Sequence, residues 1–554
     1  MKKIFYIIIA MALVFSSCEK QPVNQNQGNG NNTENPGGST TPQEPEKNWT
    51  YYYVNNFAYD LMDTYYLWRK EIRAQLMAWQ DQDEPISKVA AIRYKDNSGN
   101  DIDKWTQVTD DYKAFMGDVT GVTTTYGYDF YDFAQDKENT NRVLATVRYV
   151  YPNSPAADAG IKRGDVIVTV NGKDIPIIWQ GTSGYLDTNF IYDQMVYSSS
   201  CTLGLKDGRT VTMTAREMIE NPVIMYRIIE NENGQKIGYL HYTSFTAESC
   251  SSLIEACQYF KSEGIKELVL DLRYNGGGAV VAEEVLISML APRANVEAED
   301  IFETEIYNAE YGAYLAEEAK KQGLEAGVSR FSFQHDFRFD GKDYHFNTEN
   351  ANIGLEKIYA IVTEDSASAS ESLICCLKPY MPVVLVGKKT YGKYCGGYII
   401  GSDNYFQDII DYYTEYPNND SAEAIEFGRN GLKYASNWGL YVMFSRYADK
   451  DGVTLCMPDG IKPDYSALDN PQDGFQLGDP NETMLKSTLK RAGFTVTESS
   501  STQQQAPARY DTGVEIKFQR REKPGMVREL TSLPGYRRDR QIPLISNDQY
   551  TRAE

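Results

Sequence analysis

The sequence predicts a multidomain α/β fold. Between residues 223 and 467, short apolar runs alternate with amphipathic segments, a pattern typical of βα units on a mostly parallel sheet. Among them, Val280–Leu290 predicts a helix and Lys357–Val362 a strand. Residues 119–216 instead contain short β-rich runs divided by turns, and residues 49–115 carry aromatic and aliphatic side chains at helical spacing. We therefore expect an N-terminal helical region, a β-rich domain and a core of βα units, for which 554 residues are sufficient.

The first 18 residues form a segment of their own. Met1–Lys3 is basic, Ile4–Phe15 is apolar, and Ser16, Ser17 and Cys18 follow. The apolar run is too short to span a bilayer and is typical of a secretory signal. Cys18 after two small residues resembles a bacterial lipobox, which implies that Cys18 is lipidated. We expect an exported protein that a lipid anchors in the cell envelope, on the periplasmic face or the cell surface. The alternatives are an uncleaved anchor and a secreted protein.

Composition sets the other boundaries. The residues after Cys18 are rich in Asn, Gln, Gly and Pro, which predicts a flexible linker, and the last residues are polar and are expected to be loosely ordered. A charged, tyrosine-rich stretch interrupts the alternation of the core and is predicted to be an insertion. The predicted segments are a signal peptide (1–18), a linker (19–48), a helical region (49–117), a β-rich domain (118–218), the core (219–495, insertion about 296–350) and a polar tail (496–554).

The β-rich domain has a recognisable order of elements. Val143–Tyr151 predicts a strand, Pro152–Pro155 a turn, Ala156–Gly160 a short helix, and Ile161–Gly172 a strand that ends in an Asn-Gly turn. This block resembles a PDZ domain of the bacterial protease-associated kind. The resemblance implies that the domain binds a polypeptide C-terminus as an added strand and holds its carboxylate on backbone N–H groups.

The resemblance also places the loop that would bind this carboxylate. It would fall at Tyr126, Gly127 and Tyr128. The partner implied is a polypeptide with a free C-terminus. The alternative is a small β-domain that binds no peptide.

Three turns rich in glycine or serine directly follow predicted strands of the core. They are Asn275–Gly278, Asp365–Glu371 and Gly387–Tyr394. Because the turns after parallel strands meet at one edge of the sheet, these three are expected to form one pocket. Small residues there let backbone N–H groups approach an oxyanion. A serine cluster with Lys393 nearby therefore suggests a hydrolase in which a desolvated lysine activates a serine.

Four motifs carry a family resemblance. Asp271–Gly278, Ser366–Glu371, Lys389–Lys393 and Gly460–Asp464 resemble, in order and spacing, the carboxyl-terminal processing protease family of tail-specific serine/lysine peptidases, usually PDZ-bearing. The resemblance covers roughly residues 119–490. It implies a serine endopeptidase that uses no metal and no cofactor.

The resemblance assigns a role to five residues. Ser368 would be the nucleophile and Lys393, 25 residues later, the general base. The oxyanion hole would use the backbone N–H of Ala369 and one N–H from the glycines, with Gly277 the first choice and Gly278 the second. Asp271 is expected to be structural, with Arg273 as its partner or that of a nearby carboxylate.

One departure keeps a second function open. The family commonly has a glutamine four residues after the lysine to orient it, and this chain has Gly397 there. The alternative is a catalytically impaired, PDZ-containing peptide-binding or scaffolding protein. A third hypothesis is a Ser-His peptidase that uses His241 or His345, although no histidine lies in a motif that would direct it to Ser368.

Several other classes are excluded. A net charge of −22 argues against a nucleic-acid partner. No cysteine or histidine spacing indicates a metal, and the cysteines of the core are expected to be buried thiols. Gly387–Lys393 matches part of a phosphate-binding loop, but it lacks the Ser/Thr that would bind Mg²⁺, and a strand rather than a helix is predicted next. The oligomeric state cannot be predicted from the sequence.

Overall fold

The computed structural model describes most of the chain from residue 47 to residue 494 and two short segments beyond it. The signal peptide, Cys18, nearly all of the linker and most of the tail therefore lie outside the described residues, and the expectations for them stay predictions. No helix in the described part of the chain is both long and apolar enough to cross a bilayer. The described residues are 47–120, 122–181, 183–321, 330–338, 345–494, 511–517 and 527–529.

The N-terminal region is helical, as predicted, and it packs onto the core. Asn48 caps its first helix by accepting a hydrogen bond from the Tyr51 N–H at 3.1 Å. Tyr53 on this helix contacts the rings of Phe406 and Phe427, which belong to the core. The elements are α1 (Trp49–Tyr65), α2 (Arg73–Met77), α3 (Pro85–Ile92), β1 (Gln107–Thr109) and α4 (Tyr112–Thr120).

The second domain is β-rich and PDZ-like, as predicted. The stretch Val143–Tyr151, expected to be one strand, is two, because the chain leaves the first ladder after Thr146. Its strands are β2 (Val122–Thr125), β3 (Tyr128–Asp129), β4 (Asp132–Asp136), β5 (Arg142–Thr146), β6 (Tyr149–Val150), β7 (Val166–Val170), β8 (Lys173–Gln180), β9 (Ser183–Leu186), β10 (Ser200–Leu205), β11 (Thr210–Thr214) and β12 (Arg216–Ile219), and its helices are α5 (Pro155–Asp158) and α6 (Thr188–Ile191).

The core alternates strands and helices, and some predicted bounds agree with the structure to the residue. Val280–Leu290 is a helix and Lys357–Val362 a strand, as expected. The strands are β13 (Val223–Glu230), β14 (Lys236–Tyr242), β15 (Glu267–Asp271), β16 (Ile301–Tyr307), β17 (Arg330–Ser332), β18 (Asp336–Arg338), β19 (His345–Asn347), β20 (Lys357–Val362), β21 (Val383–Gly387), β22 (Cys395–Gly401), β23 (Gly439–Asp449) and β24 (Tyr465–Ser466). The helices are α7 (Cys250–Ser262), α8 (Val280–Leu290), α9 (Arg293–Glu297), α10 (Ala309–Lys321), α11 (Ala369–Leu377), α12 (Ser402–Glu415), α13 (Ser421–Tyr434) and α14 (Thr483–Arg491).

The main sheet of the core is mostly parallel, as predicted. Its strand order is β13-β14-β15-β20-β21-β24. Every pair from β14 to β24 is parallel, and only β13 is antiparallel to its neighbour within this sheet. The three turns rich in glycine or serine follow β15, β20 and β21, so they lie along one edge, where the candidate site forms.

A second sheet was not expected. It has the order β17-β16-β23-β22, and these pairs are antiparallel. The residues predicted to be an insertion, about 296–350, include β16, which pairs with β23 and buries Phe302, Glu303 and Glu305. This part of the insertion is therefore integral to the fold. Strand β1 also pairs with β23, which attaches the N-terminal region to this sheet.

Two segments of the predicted polar tail form strands, which corrects the expectation that the whole tail is loosely ordered. They are β25 (Asp511–Lys517) and β26 (Val527–Glu529). Strand β25 pairs with β4 and β9 of the PDZ-like domain, and β26 lies parallel beside β22 of the second sheet. Backbone hydrogen bonds to open strand edges hold these segments, which hydrophobic periodicity in a polar sequence could not reveal.

Candidate active site

Ser368 occupies a strained position at the start of α11. Its backbone has φ of 59° and ψ of −113°, a conformation that residues with a side chain rarely adopt, and its side chain is buried. The flanking serines have other partners: Ser366 Oγ donates to the Leu272 carbonyl at 2.7 Å, and Ser370 Oγ donates to the Asn275 carbonyl at 3.0 Å. Of these three, Ser368 is the serine on the sharp strand-to-helix turn typical of a nucleophile.

Asn275 joins the glycine turn to the serine turn. Its carbonyl accepts a hydrogen bond from the Ala367 N–H at 3.0 Å. Its side chain donates to the Tyr242 carbonyl at 3.0 Å and accepts from the Gly277 N–H at 2.9 Å. The motif that carries Asn275 therefore fixes the position of the loop that carries Ser368.

Of the two predicted glycines, Gly277 lies beside Ser368 and Ala369, and Gly278 lies against Phe245. A Cβ at Gly277, where φ is +96°, would lie 2.8 Å from Ser368 Cβ and 2.9 Å from the Ala369 nitrogen, so only glycine fits. A Cβ at Gly278 would lie 1.9 Å from the Phe245 oxygen. The Gly278 N–H makes no hydrogen bond to any described residue, and the Ala369 N–H, at the first position of α11, has no acceptor within the helix.

Lys393 lies just before β22 in an aromatic environment. Its side chain is buried, and its Nζ donates a hydrogen bond to the Tyr441 hydroxyl at 3.2 Å. The Nζ also lies 5.3 Å from the ring centre of Trp105 in the N-terminal region and 5.1 Å from that of Tyr441. Burial by itself disfavours the charged ammonium and so favours the neutral amine that a lysine needs in order to act as a base, whereas the two ring faces favour the cation.

A buried carboxylate links the segments of the two candidate catalytic residues. Glu371 accepts hydrogen bonds from the backbone N–H groups of Ser368 at 3.0 Å, Gly392 at 2.7 Å and Lys393 at 2.8 Å, and from the Thr390 hydroxyl. Burial raises the pKa of Glu371 to about 7, against these hydrogen bonds, which lower it. One side chain thus holds the backbones of Ser368 and Lys393 together.

Tyr447 makes a second link. Its hydroxyl lies 3.1 Å from the Lys393 carbonyl oxygen and 3.4 Å from that of Ser368. It is also 2.9 Å from Cys456 Sγ. The structure therefore brings the backbones of Ser368 and Lys393 together through contacts from α11 and β23.

The site explains the glycine at position 397. A Cβ on Gly397 would lie 2.1 Å from Tyr441 Cε2 and 2.6 Å from Met443 Cε. The ring of Tyr441 thus fills the space that a side chain at position 397 would need. Sequence reasoning missed Tyr441, which lies 48 residues after Lys393 on a strand that carries no motif.

The chain is similar to known peptidases and to PDZ domains. Residues 236–467 match the model of peptidase family S41, and residues 146–185 match a PDZ domain. The chain is 28% identical over 290 residues to carboxyl-terminal-processing peptidase 2, chloroplastic, of Arabidopsis thaliana, which covers 50% of this chain and 46% of the relative. It is 26% identical over 247 residues to the carboxyl-terminal-processing protease of Picosynechococcus, which covers 44% of this chain and 49% of the relative.

These matches support assignment of the chain to the carboxyl-terminal-processing protease family. It spans about half the length of these curated relatives. A crystal structure of a protein from Bacteroides fragilis, described as an S41 protease, matches with a TM-score of 0.55 at 21% identity over 82% of this chain and 99% of the other. This likeness supports the multidomain α/β fold.

In the PDZ domain, the loop predicted to bind a carboxylate packs onto the helical segment that precedes β10. Tyr126 donates its hydroxyl to the Ser198 carbonyl at 2.6 Å, and the Tyr128 hydroxyl lies 3.5 Å from the Met195 carbonyl oxygen. The Gly127 N–H donates to the Thr125 hydroxyl at 3.0 Å. The role of this loop stays a prediction, and Gly127 would have to give up that bond to bind a carboxylate.

A buried ionic network lies beneath the glycine turn. Arg273 donates to Asp271 at 2.9 Å, as the sequence predicts, and also to Glu482 at 2.7 Å. Arg163 of the PDZ domain donates to Asp469 at 2.7 Å. Burial raises the pKa of Asp469, but the guanidinium groups of Arg163 and Arg273 hold this pKa well below its usual range. Sequence reasoning missed both Asp469 and Glu482, which follow the last motif of the core.

The histidines have other surroundings. The ring of His241 packs edge-on against Tyr149 and Tyr274, and neither of its nitrogens has a hydrogen-bond partner among the described residues. Burial lowers the pKa of His241 to about 4, so it is neutral at pH 7. His345 contacts Asp336 across the β18–β19 hairpin. These contacts favour structural roles for both.

Proposed function

We propose that this protein is a serine endopeptidase of the cell envelope that recognises polypeptide C-termini through its PDZ domain and hydrolyses peptide bonds with Ser368 and Lys393. The observation that carries the proposal is the double link between these residues through Glu371 and Tyr447. The strained backbone of Ser368 and the burial of Lys393 further support it.

The proposed reaction follows from these positions. Neutral Lys393 takes the proton of the Ser368 hydroxyl while Oγ forms a bond to the carbonyl carbon of the substrate. The lysine then gives that proton to the amine that leaves, and water hydrolyses the acyl-enzyme. The backbone N–H groups of Ala369 and Gly278 bind the oxyanion. Gly278 is the better of the two glycine donors, because Asn275 already accepts the N–H of Gly277.

Cleavage of an unfolded substrate with a fluorescent label and a free C-terminus tests the proposal. We expect the wild-type protein to cleave it and Ser368→Ala to lose at least about a thousandfold in rate, because no nucleophile remains. Lys393→Met removes the base at similar volume and is expected to lose a similar factor. Lys389→Met is the matched control, since Lys389 is an exposed lysine of the same loop, and it retains the wild-type rate.

The same assay separates the other hypotheses. A wild-type protein that binds the labelled C-terminus without cleaving it is the scaffolding protein that Gly397 left open. Cleavage that survives Lys393→Met but is lost in His241→Ala or His345→Ala identifies a Ser-His peptidase. Cleavage that survives Ser368→Ala contradicts the assignment of the nucleophile.

We infer that the mature protein is anchored by a lipid on Cys18. The basic start, the apolar run and the two serines before Cys18 support this inference. A lipid anchor would place the peptidase at the membrane of the cell envelope, on the periplasmic face or the cell surface. Membrane fractionation checks it: Cys18→Ser is expected to move the protein out of the membrane fraction.

A further inference from the structure

We propose that Tyr441 positions Lys393. Its hydroxyl supplies the hydrogen bond that a polar side chain on β22, the strand after the lysine, would otherwise make. This inference rests on the proposed function and concerns the same site. Tyr441 lies on β23, opposite Ile399 of β22, the strand that begins two residues after Lys393. Its side chain is buried, and its hydroxyl is 3.2 Å from the Lys393 Nζ.

The packing around Tyr441 shows that its position depends on a glycine. The nearest atoms to a Cβ built on Gly397 are Cε2 and Cζ of the Tyr441 ring, at 2.1 and 2.6 Å. Any side chain at position 397 would therefore displace the ring and, with it, the hydroxyl. Because Gly397 on β22 has no side chain, the ring of Tyr441 on β23 can occupy the space beside it.

The N-terminal region fixes the other side of the ring. The ring of Phe115, on α4, lies 5.9 Å from that of Tyr441, and Trp105 lies over the Lys393 Nζ. The hydroxyl of Tyr441 is thus held by a packed ring rather than by a flexible chain. A hydrogen-bond acceptor that is held in this way restricts the rotation of the amine at little cost in entropy.

The chemistry of a phenol suits this role. A neutral hydroxyl can accept an N–H from the lysine amine and leave the nitrogen lone pair free for the serine proton. A carboxylate at this position would instead stabilise the ammonium and impede its action as a base. Tyr441 therefore orients Nζ without fixing its charge.

Removal of the hydroxyl alone tests the inference. In Tyr441→Phe the ring remains, so the packing against Gly397 and Phe115 is kept. We expect kcat to fall about tenfold, the value of one hydrogen bond that orients a reacting group, with KM within about twofold. The rate is measured per active site, counted by complete labelling of Ser368 with a fluorophosphonate, so that unfolded protein does not contribute.

The pH dependence of kcat/KM distinguishes positioning from packing. Loss of the acceptor favours the neutral amine, so the acidic limb of the profile is expected to move to lower pH. If Tyr441 only excluded water, its change would admit solvent, favour the ammonium and move the limb to higher pH. The other titratable groups around Lys393 are unchanged in this variant; they are Glu371 on α11, Cys395 on β22, Tyr447 on β23 and Asp103 and Arg446, which act on Cys395.

Tyr311→Phe is the matched control. Tyr311 is another buried tyrosine whose hydroxyl makes a 3.2 Å contact, in its case with the Tyr398 hydroxyl. We expect its kcat and its pH profile to match those of the wild type. A wild-type kcat and profile in Tyr441→Phe would overturn the inference, as would an acidic limb that moves to higher pH, and either would leave the proposed function standing. A wild-type protein that neither cleaves the substrate nor is labelled would instead refute the proposed function.

Discussion

At the scale of single residues, contact between backbone atoms determines the geometry of the site. Gly277 is in van der Waals contact with the nucleophile loop, and it lies beside both the side chain of Ser368 and the N–H of Ala369. Its positive φ is a second reason for glycine at this position. A side chain here would therefore meet Ser368 and the Ala369 nitrogen first.

We predict that Gly277→Ala reduces the rate of substrate cleavage by at least about a hundredfold, comparable to the loss of one oxyanion-hole donor. The added Cβ would push Ser368 and the Ala369 N–H apart. Gly276→Ala is the control, because a Cβ at this exposed neighbour meets no atom within 4 Å, and it is expected to keep the wild-type rate. Equal rates for the two variants would contradict the proposed position of the oxyanion.

At the scale of elements, the start of α11 depends on one carboxylate. Glu371 accepts hydrogen bonds from the N–H of Ser368, the N-cap residue of its own helix, and from two N–H groups of the loop before β22. Its side chain is buried, so its ionisation is coupled to folding. The helix end and the lysine loop thus respond together to pH.

We predict that this coupling is visible in the free energy of unfolding. Burial raises the pKa of Glu371 from 4.5 to about 7, so the folded protein keeps a proton that the unfolded chain has lost. The stabilisation is complete below pH 4.5 and falls by on the order of 3 kcal/mol as the pH rises through 7. Urea unfolding at pH 4.5, 6 and 7.5 measures this decrease.

Glu371→Gln removes the ionisation and should remove this component of the pH dependence. The difference between the two proteins isolates Glu371 from the other carboxyl groups. In this variant the NH₂ of the amide also faces backbone N–H groups that donate to the carboxylate in the wild type. We therefore expect the free energy of unfolding to fall by about 1–3 kcal/mol at pH 7.5. Identical pH dependence in wild type and variant would show that Glu371 does not titrate in this range.

At the scale of the whole molecule, charged side chains join the PDZ domain to the core. Arg148 binds Asp129 in its own domain and Asp365 at the start of the serine turn. Arg163 reaches Asp469, and it contacts the hydroxyl of Tyr274 at 2.8 Å. Both arginine side chains are buried, so the two domains lose more than a surface ion pair if they separate.

We predict that Arg163→Met destabilises the protein by about 3 kcal/mol, because it leaves the buried carboxylate of Glu482 and the partly buried one of Asp469 with one cation fewer. Arg216→Met is the control. Arg216 binds Asp158 at the surface of the same domain, where both side chains are exposed, and its loss is expected to cost less than about 1 kcal/mol. Urea unfolding at pH 7 measures both, and equal losses would mean that the link between the domains adds no stability.

Local sequence patterns could predict a large part of this fold. The bounds of α8 and β20 follow from short apolar runs between turns, because the apolar side chains of a buried element mark its extent in the sequence. The second sheet could not be predicted in this way. Its strands pair across long stretches of chain, as in β16 with β23, and no local pattern records which strands will be neighbours.

The sequence by itself was sufficient to predict the chemistry of the site. The motifs around Ser368, Lys393 and Gly277 indicate a serine peptidase, because a sharp turn, a lysine and a close backbone approach each require particular residue types. The tertiary structure decided how the lysine is held. Gly397 and Tyr441 are far apart in the chain and meet only when β22 pairs with β23, so their contact depends on packing that spacing along the chain does not encode.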